Sequence, residues 1–294
     1  MEMELRTLRY FLAVMQEGSI TNAAKRLHVT QPTLSRQLSE LERELGRTLY
    51  HRSHFGITPT EYGAMLARYA ESIVNLAEKA EEDIKLPSKK VSGSVHIGCG
   101  ETQAMGLLAK AMEMMRAAYP YVRFELHSGT SADLSDGLVR GHYDFLLECD
   151  LQPHVDMNVL ELPHRDRWGV VAMADDPISA LDAITIDDLV GRPLIVSRQA
   201  MKTGKLLAWF GDRIDSLEIA ATYTLAMNCK FLIRQDVGIA LTYDGLIDDD
   251  SGLRFVPLDP PLESRSGLVW RKTLLSRQAQ AFLDIARSLV TQES

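Results

Sequence analysis

Cysteine is scarce in this 294-residue chain: Cys99, Cys149 and Cys229 are widely spaced and odd in number. No CxxC pair or Cys/His ligand spacing occurs, which argues against a disulfide frame and against zinc and favours a reducing, cytoplasmic setting. Long hydrophobic runs are missing too. Without about 18 consecutive apolar residues, no transmembrane helix is expected. The opening MEMELRTLRYFLAVMQEG is acidic ahead of its apolar residues and has no small-residue cleavage site, so it reads as mature sequence and not as a signal peptide. GxSxG, P-loop, HExxH and complete GxGxxG patterns are all lacking, which leaves catalysis without positive evidence. No short-period repeat or low-complexity tract is present.

What is there is a chain of ordinary globular composition, 46% hydrophobic, and long enough for two or three domains. Its net charge of −8 is unevenly spread. Residues 1–60 carry eight Lys+Arg against six Asp+Glu, and residues 91–294 carry 19 against 28. A mildly basic head on an acidic body leaves nucleic acid open as a partner of the head only.

Leu5, Leu8, Phe11, Leu12 and Met15 follow helical spacing, and Gly18 stops that helix. Ser19 is the N-cap of a second helix with Ala23, Ala24 and Leu27 on its inner face. A third begins at Thr30, tolerates Pro32 in its first turn, buries Leu34, Leu38, Leu41 and Leu45, and ends at Gly46. TLYHRSHFGITPT then reads as a short wing or hairpin. From Thr60 to about Lys85 one long helix carries Leu66, Tyr69, Ile73, Leu76 and Ala80 as a heptad seam. Pairing with a second copy of the chain is the expected cover for it; packing on the protein's own first helix is the alternative. Residues 85–93 form a polar, Pro/Gly-marked linker.

Beyond the linker, strand and helix patterns alternate, implying a mainly parallel, doubly wound sheet in two similar units with a cleft between them. The expected division is residues 1–60, a helical linker at 61–90, and an α/β body at 91–294. Lobe I takes about 91–162 and 268–294, and lobe II about 163–267.

The start of the third helix exposes Gln31, Pro32, Thr33, Ser35 and Arg36 behind its Thr30 cap. Gln matches adenine N6/N7, Arg matches guanine O6/N7, and hydroxyls suit base edges or phosphate. By pattern alone, a solvated helix pair in an ordinary bundle also fits, because helix-turn-helix pairs lack a strict residue code. The stretch SITNAAKRLHVTQPTLSRQLSELERELGRTLYHR, however, resembles the winged helix-turn-helix of LysR-type transcriptional regulators. The matching elements are AA-x-x-L, V-T-Q-P-T-L-S-R-Q-L, L-E-x-E-L-G and L-Y-x-R. The likeness is specific over about residues 4–65 and looser to the C-terminus.

That resemblance implies an α/β chain overall: an all-α winged helix-turn-helix, a dimerising linker helix, and a two-lobed α/β effector domain like type 2 periplasmic binding proteins. It implies double-stranded promoter DNA as partner, a homodimer through the linker helix and a homotetramer beyond it, with RNA polymerase as a candidate further contact. It also implies a small-molecule co-inducer and no other cofactor. Residues expected at DNA are Thr30, Gln31, Pro32, Thr33, Ser35 and Arg36, with Arg52 and Thr58 from the wing. Tyr50 replaces a common phenylalanine. The wing has His51 and His54 but one arginine where relatives often have two, which implies fewer phosphate contacts.

In the body, polar residues stand where strands end, the usual ligand position in open α/β sheets. Glu101, Thr102, Thr130, Ser131, Ser197 and Arg198 are the candidate effector contacts, each also readable as an ordinary cap or surface turn. Glu101 is unusual in a loop often rich in Ser/Thr, and it leaves the ligand's charge open. Cys99 could line the cleft, though a small buried hydrophobe is its commoner role. His96, His127, His142, His154 and His164 are scattered, and no metal site is expected. Peroxide-sensing relatives use a cysteine pair in the second lobe, where only Cys229 lies, so that switch is not expected. Two other classes stay open: a solute-binding protein or ligand sensor that does not bind DNA, and an enzyme with a helical appendage.

Overall fold

The helix start and stop signals of the head act where the sequence puts them. In the computed structural model, which describes residues 4–53, 56–85, 91–202, 204–247 and 252–293, α1 (Leu5–Glu17) ends at Gly18 in the left-handed conformation. The Ser19 hydroxyl accepts from the Asn22 N–H to start α2 (Ile20–Arg26). Thr30 caps α3 (Gln31–Leu45) through Thr33 N–H, and Gly46 closes it at φ +63°. The three helices bury Phe11, Val14, Ala23, Ala24, Leu34 and Leu38 in one small core. Strands β1 (Tyr50–Ser53) and β2 (Gly56–Pro59) pair antiparallel as the wing. His54 lies outside the described residues.

Helix α4 (Glu61–Lys85) follows directly. Gly63 lets it approach the backbone just ahead of the wing: a Cβ there would lie 1.8 Å from the Leu49 carbonyl oxygen. Ala70 and Val74 pack with Leu8 and Leu12 of α1 in a satellite core that also takes Leu66 and Ala67. Residues 86–90 of the expected linker lie outside the described residues.

The chain divides into two compact units, residues 1–89 with 139–142, and residues 90–138 with 143–294. In the second, β3 (Gly93–Cys99), β4 (Val122–Ser128) and β5 (Phe145–Glu148) are parallel neighbours. Helices α5 (Met105–Ala118) and α10 (Arg277–Glu293) cover one face, and α6 (Ser131–Val139) follows β4. A 17-residue strand, β6 (Met157–Met173), then runs from this lobe into the next. There β7 (Pro193–Ser197) pairs in parallel with β8 (Glu218–Tyr223) and β9 (Ile239–Tyr243). Short helices α7 (Ile186–Leu189), α8 (Gly204–Phe210) and α9 (Cys229–Arg234) surround them. β10 (Leu253–Pro257) joins the edge of β6, and β11 (Glu263–Arg271) returns antiparallel along β6 to β5.

The sheet is therefore more mixed than the alternation of patterns implies. β3–β4, β3–β5, β7–β8 and β7–β9 are parallel, whereas β5–β11, β6–β11, β6–β9 and β6–β10 are antiparallel. The first half of β6, MNVLELPHRD, is broken by Pro163 and charged residues, so it does not read as a strand until β11 supplies its pairing. The largest cores are separate, one around Phe145, Leu268 and Phe282, the other around Val170, Leu194 and Leu241, with smaller clusters around Leu134 and Leu146 and around Ile195 and Ile233.

Candidate functional site

At the head, α3 presents Gln31, Pro32, Thr33 and Arg36 as exposed side chains on its first turns. The Thr30 and Thr33 hydroxyls lie 2.8 Å apart, so the capping group and its neighbour fix each other's rotamers. Ser35 is half-buried because the wing reaches it. Arg52 donates to Ser35 Oγ at 3.2 Å and to the Tyr50 hydroxyl at 3.1 Å, with its guanidinium over the Tyr50 ring. Tyr50, in the place of phenylalanine, thus has a specific use for its hydroxyl. Thr58 is exposed opposite His51 in the hairpin. Of the two wing residues expected from the sequence, Arg52 reaches the start of α3, whereas Thr58 shares the opposite face of the hairpin with His51. Ser35 and Arg52 bond each other, and this tie was not visible in the spacing.

Helix α4 corrects the heptad seam. Leu66 is turned to the head's own core, where it packs with Leu8, Leu12 and Val74. Tyr69, Ile73 and Leu76 are exposed at 64%, 41% and 59%, and Ala80 is exposed as well. Tyr62, Met65 and Ile84 extend the outer stripe. Steps of 3, 4, 4, 3, 4 and 4 make this an 11-residue period of about 3.67 residues per turn, not a heptad. A helix with one apolar stripe used internally leaves the other for a partner.

In the second unit a cavity of about 70 Å³ lies between the lobes, walled by Glu101, Cys149, Asp150, Trp168, Tyr223 and Tyr243 among others. Ser197 also lines it. Thr130, Ser131 and Arg198 line an adjoining chamber of about 280 Å³, together with Glu148, Lys202 and the shared residues Asp150, Gln199 and Thr224. Hydrogen bonds cross between the lobes. Glu101 Oε2 accepts from Ala226 N–H at 2.6 Å. Ser131 N–H donates to Gln199 Oε1 at 3.0 Å, and the Gln199 amide donates back to Ser131 Oγ. Lys205 pairs with Asp150 at 2.6 Å.

Thr102 lies elsewhere. It is 5% exposed and donates to Asp166 Oδ2 at 2.6 Å, while Ser266 donates to the same oxygen at 2.7 Å. Asp166 sits on β6 and Ser266 at the irregularity of β11, so this network pins the strands where they pass between lobes. The hydroxyl expected at the ligand is committed to a buried carboxylate. Cys99 likewise packs in the first core, and burial pushes its thiol up to about 11. Cys149 is the cysteine in the cavity wall. Burial first, then the negative charges of Asp166, Glu101 and Glu148, hold its thiol well above the usual range, so it is a poor nucleophile. Gln199 belongs to the polar stretch Ser197–Gln199 that the end of a strand marks in the sequence, whereas Trp168, Tyr223 and Tyr243 have no such mark, because a cavity wall assembled from distant strands has no local signal. Of the scattered histidines, His96 and His127 converge with Glu125 on β3 and β4, their ligand atoms within 4.8 Å of one another.

Fold and sites together define a class: a winged helix-turn-helix joined to a two-lobed α/β unit with a small-molecule-sized cleft. Comparison with known proteins supplies the family. Residues 5–64 match the bacterial regulatory helix-turn-helix protein, lysR family, and residues 88–290 match the LysR substrate binding domain. The chain belongs to the LysR family of transcriptional regulators. It is 32% identical over 251 residues to the HTH-type transcriptional regulator IlvY of Escherichia coli K12, covering 84% of each chain. It is 31% identical over 185 residues to the nitrogen assimilation regulatory protein nac of the same organism, a match spanning 63% of this chain and 60% of that one. The crystal structure of CbnR, a LysR family transcriptional regulator, shares the fold at a TM-score of 0.72 and 19% identity, covering 98% of this chain and 99% of that one. Among the described residues, no helix is long and apolar enough to cross a membrane.

Proposed function

We propose that this protein is a cytoplasmic transcriptional regulator that binds promoter DNA through its head and answers a small-molecule co-inducer held between the lobes of its second unit. The observation that carries the reading is the exposed polar start of α3, braced by Arg52 through Ser35. A helix in this position of a helix-turn-helix enters the major groove with its first residues toward base edges. Gln31, Thr33, Ser35 and Arg36 are its readers, and Thr30, Pro32, Arg52 and Thr58 position them against the backbone. The solute-binding alternative leaves this surface without a purpose, and the enzyme alternative lacks any nucleophile or cofactor loop.

The outer stripe of α4 pairs two chains, so that two recognition helices meet a pseudo-palindromic site. Tetramer formation and contact with RNA polymerase rest on the family alone. Effector binding shifts a population: a ligand that favours one lobe arrangement biases the oligomer's arrangement on DNA by its differential affinity.

Footprinting on DNA flanking the protein's own coding region tests the reading. Protection is expected, and Arg36→Ala should lower preference for the site over random DNA by about 1–3 kcal/mol. Unchanged preference in that variant would remove Arg36 from base reading. Absence of any sequence-selective protection would remove the regulator itself.

A further inference from the structure

The effector of this family member is left unspecified by its fold, but its charge is written in the cavity. Glu101 and Asp150 both line the inner chamber. Among the described residues lining it there is no lysine, arginine or histidine. Asp150 is paired with Lys205. Among the described residues Glu101 has no ion-pair partner: Oε2 accepts the Ala226 N–H, and the second oxygen has lone pairs to offer. Two further carboxylates stand close by: Glu148, bonded to His154 at 2.6 Å, and Asp166, bonded to Thr102 and Ser266.

The apolar part of the wall fits the same ligand. Trp168 and Tyr243 meet edge-to-face at 4.5 Å between ring centroids. Tyr223 spends its hydroxyl on the Leu241 carbonyl at 2.8 Å, so its ring is what it contributes to the cavity. Aromatic faces beside a carboxylate favour an organic cation, and low local polarity strengthens both attractions. An anion in the same place would face Glu101 at close range, and Glu101 already occupies the Ala226 N–H that an incoming carboxylate would want. Arg198 and Lys202 line the outer chamber instead.

Building on the effector-cleft reading above, we infer that the co-inducer carries an ammonium or amidinium-type group, which enters the inner chamber against Glu101 and the Trp168–Tyr223–Tyr243 wall. Any carboxylate on the same ligand stays outside, at Arg198 and Lys202. The inner volume of about 70 Å³ holds roughly two or three water-sized groups, so the part of the ligand that enters is small.

The test is titration calorimetry on the full chain with three probes of one four-carbon length: putrescine, 4-aminobutyrate and succinate. Glu101→Gln keeps an acceptor for Ala226 and removes the charge, and its DNA binding serves as the folding control. Ser197→Phe fills the cavity. At least one of the two amines should bind, and its affinity should fall at least about tenfold in Glu101→Gln and vanish in Ser197→Phe. Succinate binding that Ser197→Phe abolishes, without amine binding, would overturn the charge assignment and leave the effector cleft standing. Amine binding that survives Ser197→Phe would show that the amine sits elsewhere, and both the inference and the cleft reading would fall. Amine affinity unchanged in Glu101→Gln, or no binding by any of the three, would also sink the inference.

Discussion

Thr102 shows how a single hydroxyl changes meaning once its surroundings are known. In the sequence it follows a strand end beside Glu101, where a ligand contact is the natural reading. In the fold it is sealed against Asp166 and Ser266, and its oxygen also accepts from the Ala104 N–H at 3.0 Å. Thr102→Val keeps the shape and removes the donor, leaving a buried carboxylate one bond short. The expected cost is about 1–3 kcal/mol in urea unfolding of the full chain, with effector affinity per folded molecule unchanged. A variant of native stability that loses effector binding would return Thr102 to the ligand. Glu101, its neighbour, does line the cavity. Adjacent residues thus divide into a structural group and a cavity-lining one, because the loop turns inward between them.

At the scale of elements, α4 is the informative case. Both of its faces carry apolar residues at helical spacing, so spacing alone cannot say which face belongs to the head. Contact with Leu8 and Leu12 decides it: Leu66, Ala70 and Val74 go inward, and Tyr69, Ile73 and Leu76 are left outside. Two predictions separate the faces. Tyr69→Glu with Leu76→Glu should lower the full chain by one level of assembly in sedimentation velocity, without lowering the stability of the head. Leu66→Ala should cost the head about 1–3 kcal/mol and leave assembly intact, a smaller loss than for a fully buried leucine because the site is only partly enclosed. An assembly indifferent to the double glutamate variant would place the subunit contact off this stripe.

For the molecule as a whole, charge is the property that local structure does not explain. The acidic body cannot contribute attraction to DNA, so the head's few cations must supply it. Four are already engaged: Arg6 with Glu4, Arg9 with Glu78, Arg26 with Gln16 and Glu17, and Arg43 with Glu40. With roughly two or three phosphate-facing cations per head, a dimer should show a slope of log affinity against log salt of about −4 to −5. Fluorescence anisotropy on a specific duplex across salt concentrations measures it. A slope near −10 would mean that groups outside the head neutralise phosphates. The second unit is whole-molecule in another sense. β6 and β11 join the two lobes as paired strands, with the Asp166 network between them.

The head was legible in the sequence because its determinants are local: caps, glycine stops, a leucine stripe and a polar first turn all act within a few residues. The two-lobed body was legible as an alternation of elements, which follows from burying each strand between helices. What the sequence could not order was anything requiring distant segments to meet. Leu66 is internal because α1 lies beside it, and half of β6 is a strand because β11 pairs with it. The cavity wall draws on residues from Glu101 to Tyr243, brought together only when the two lobes face each other. Its acidic and aromatic character is therefore a property of the tertiary structure, since no stretch of chain contains enough of it to be read alone.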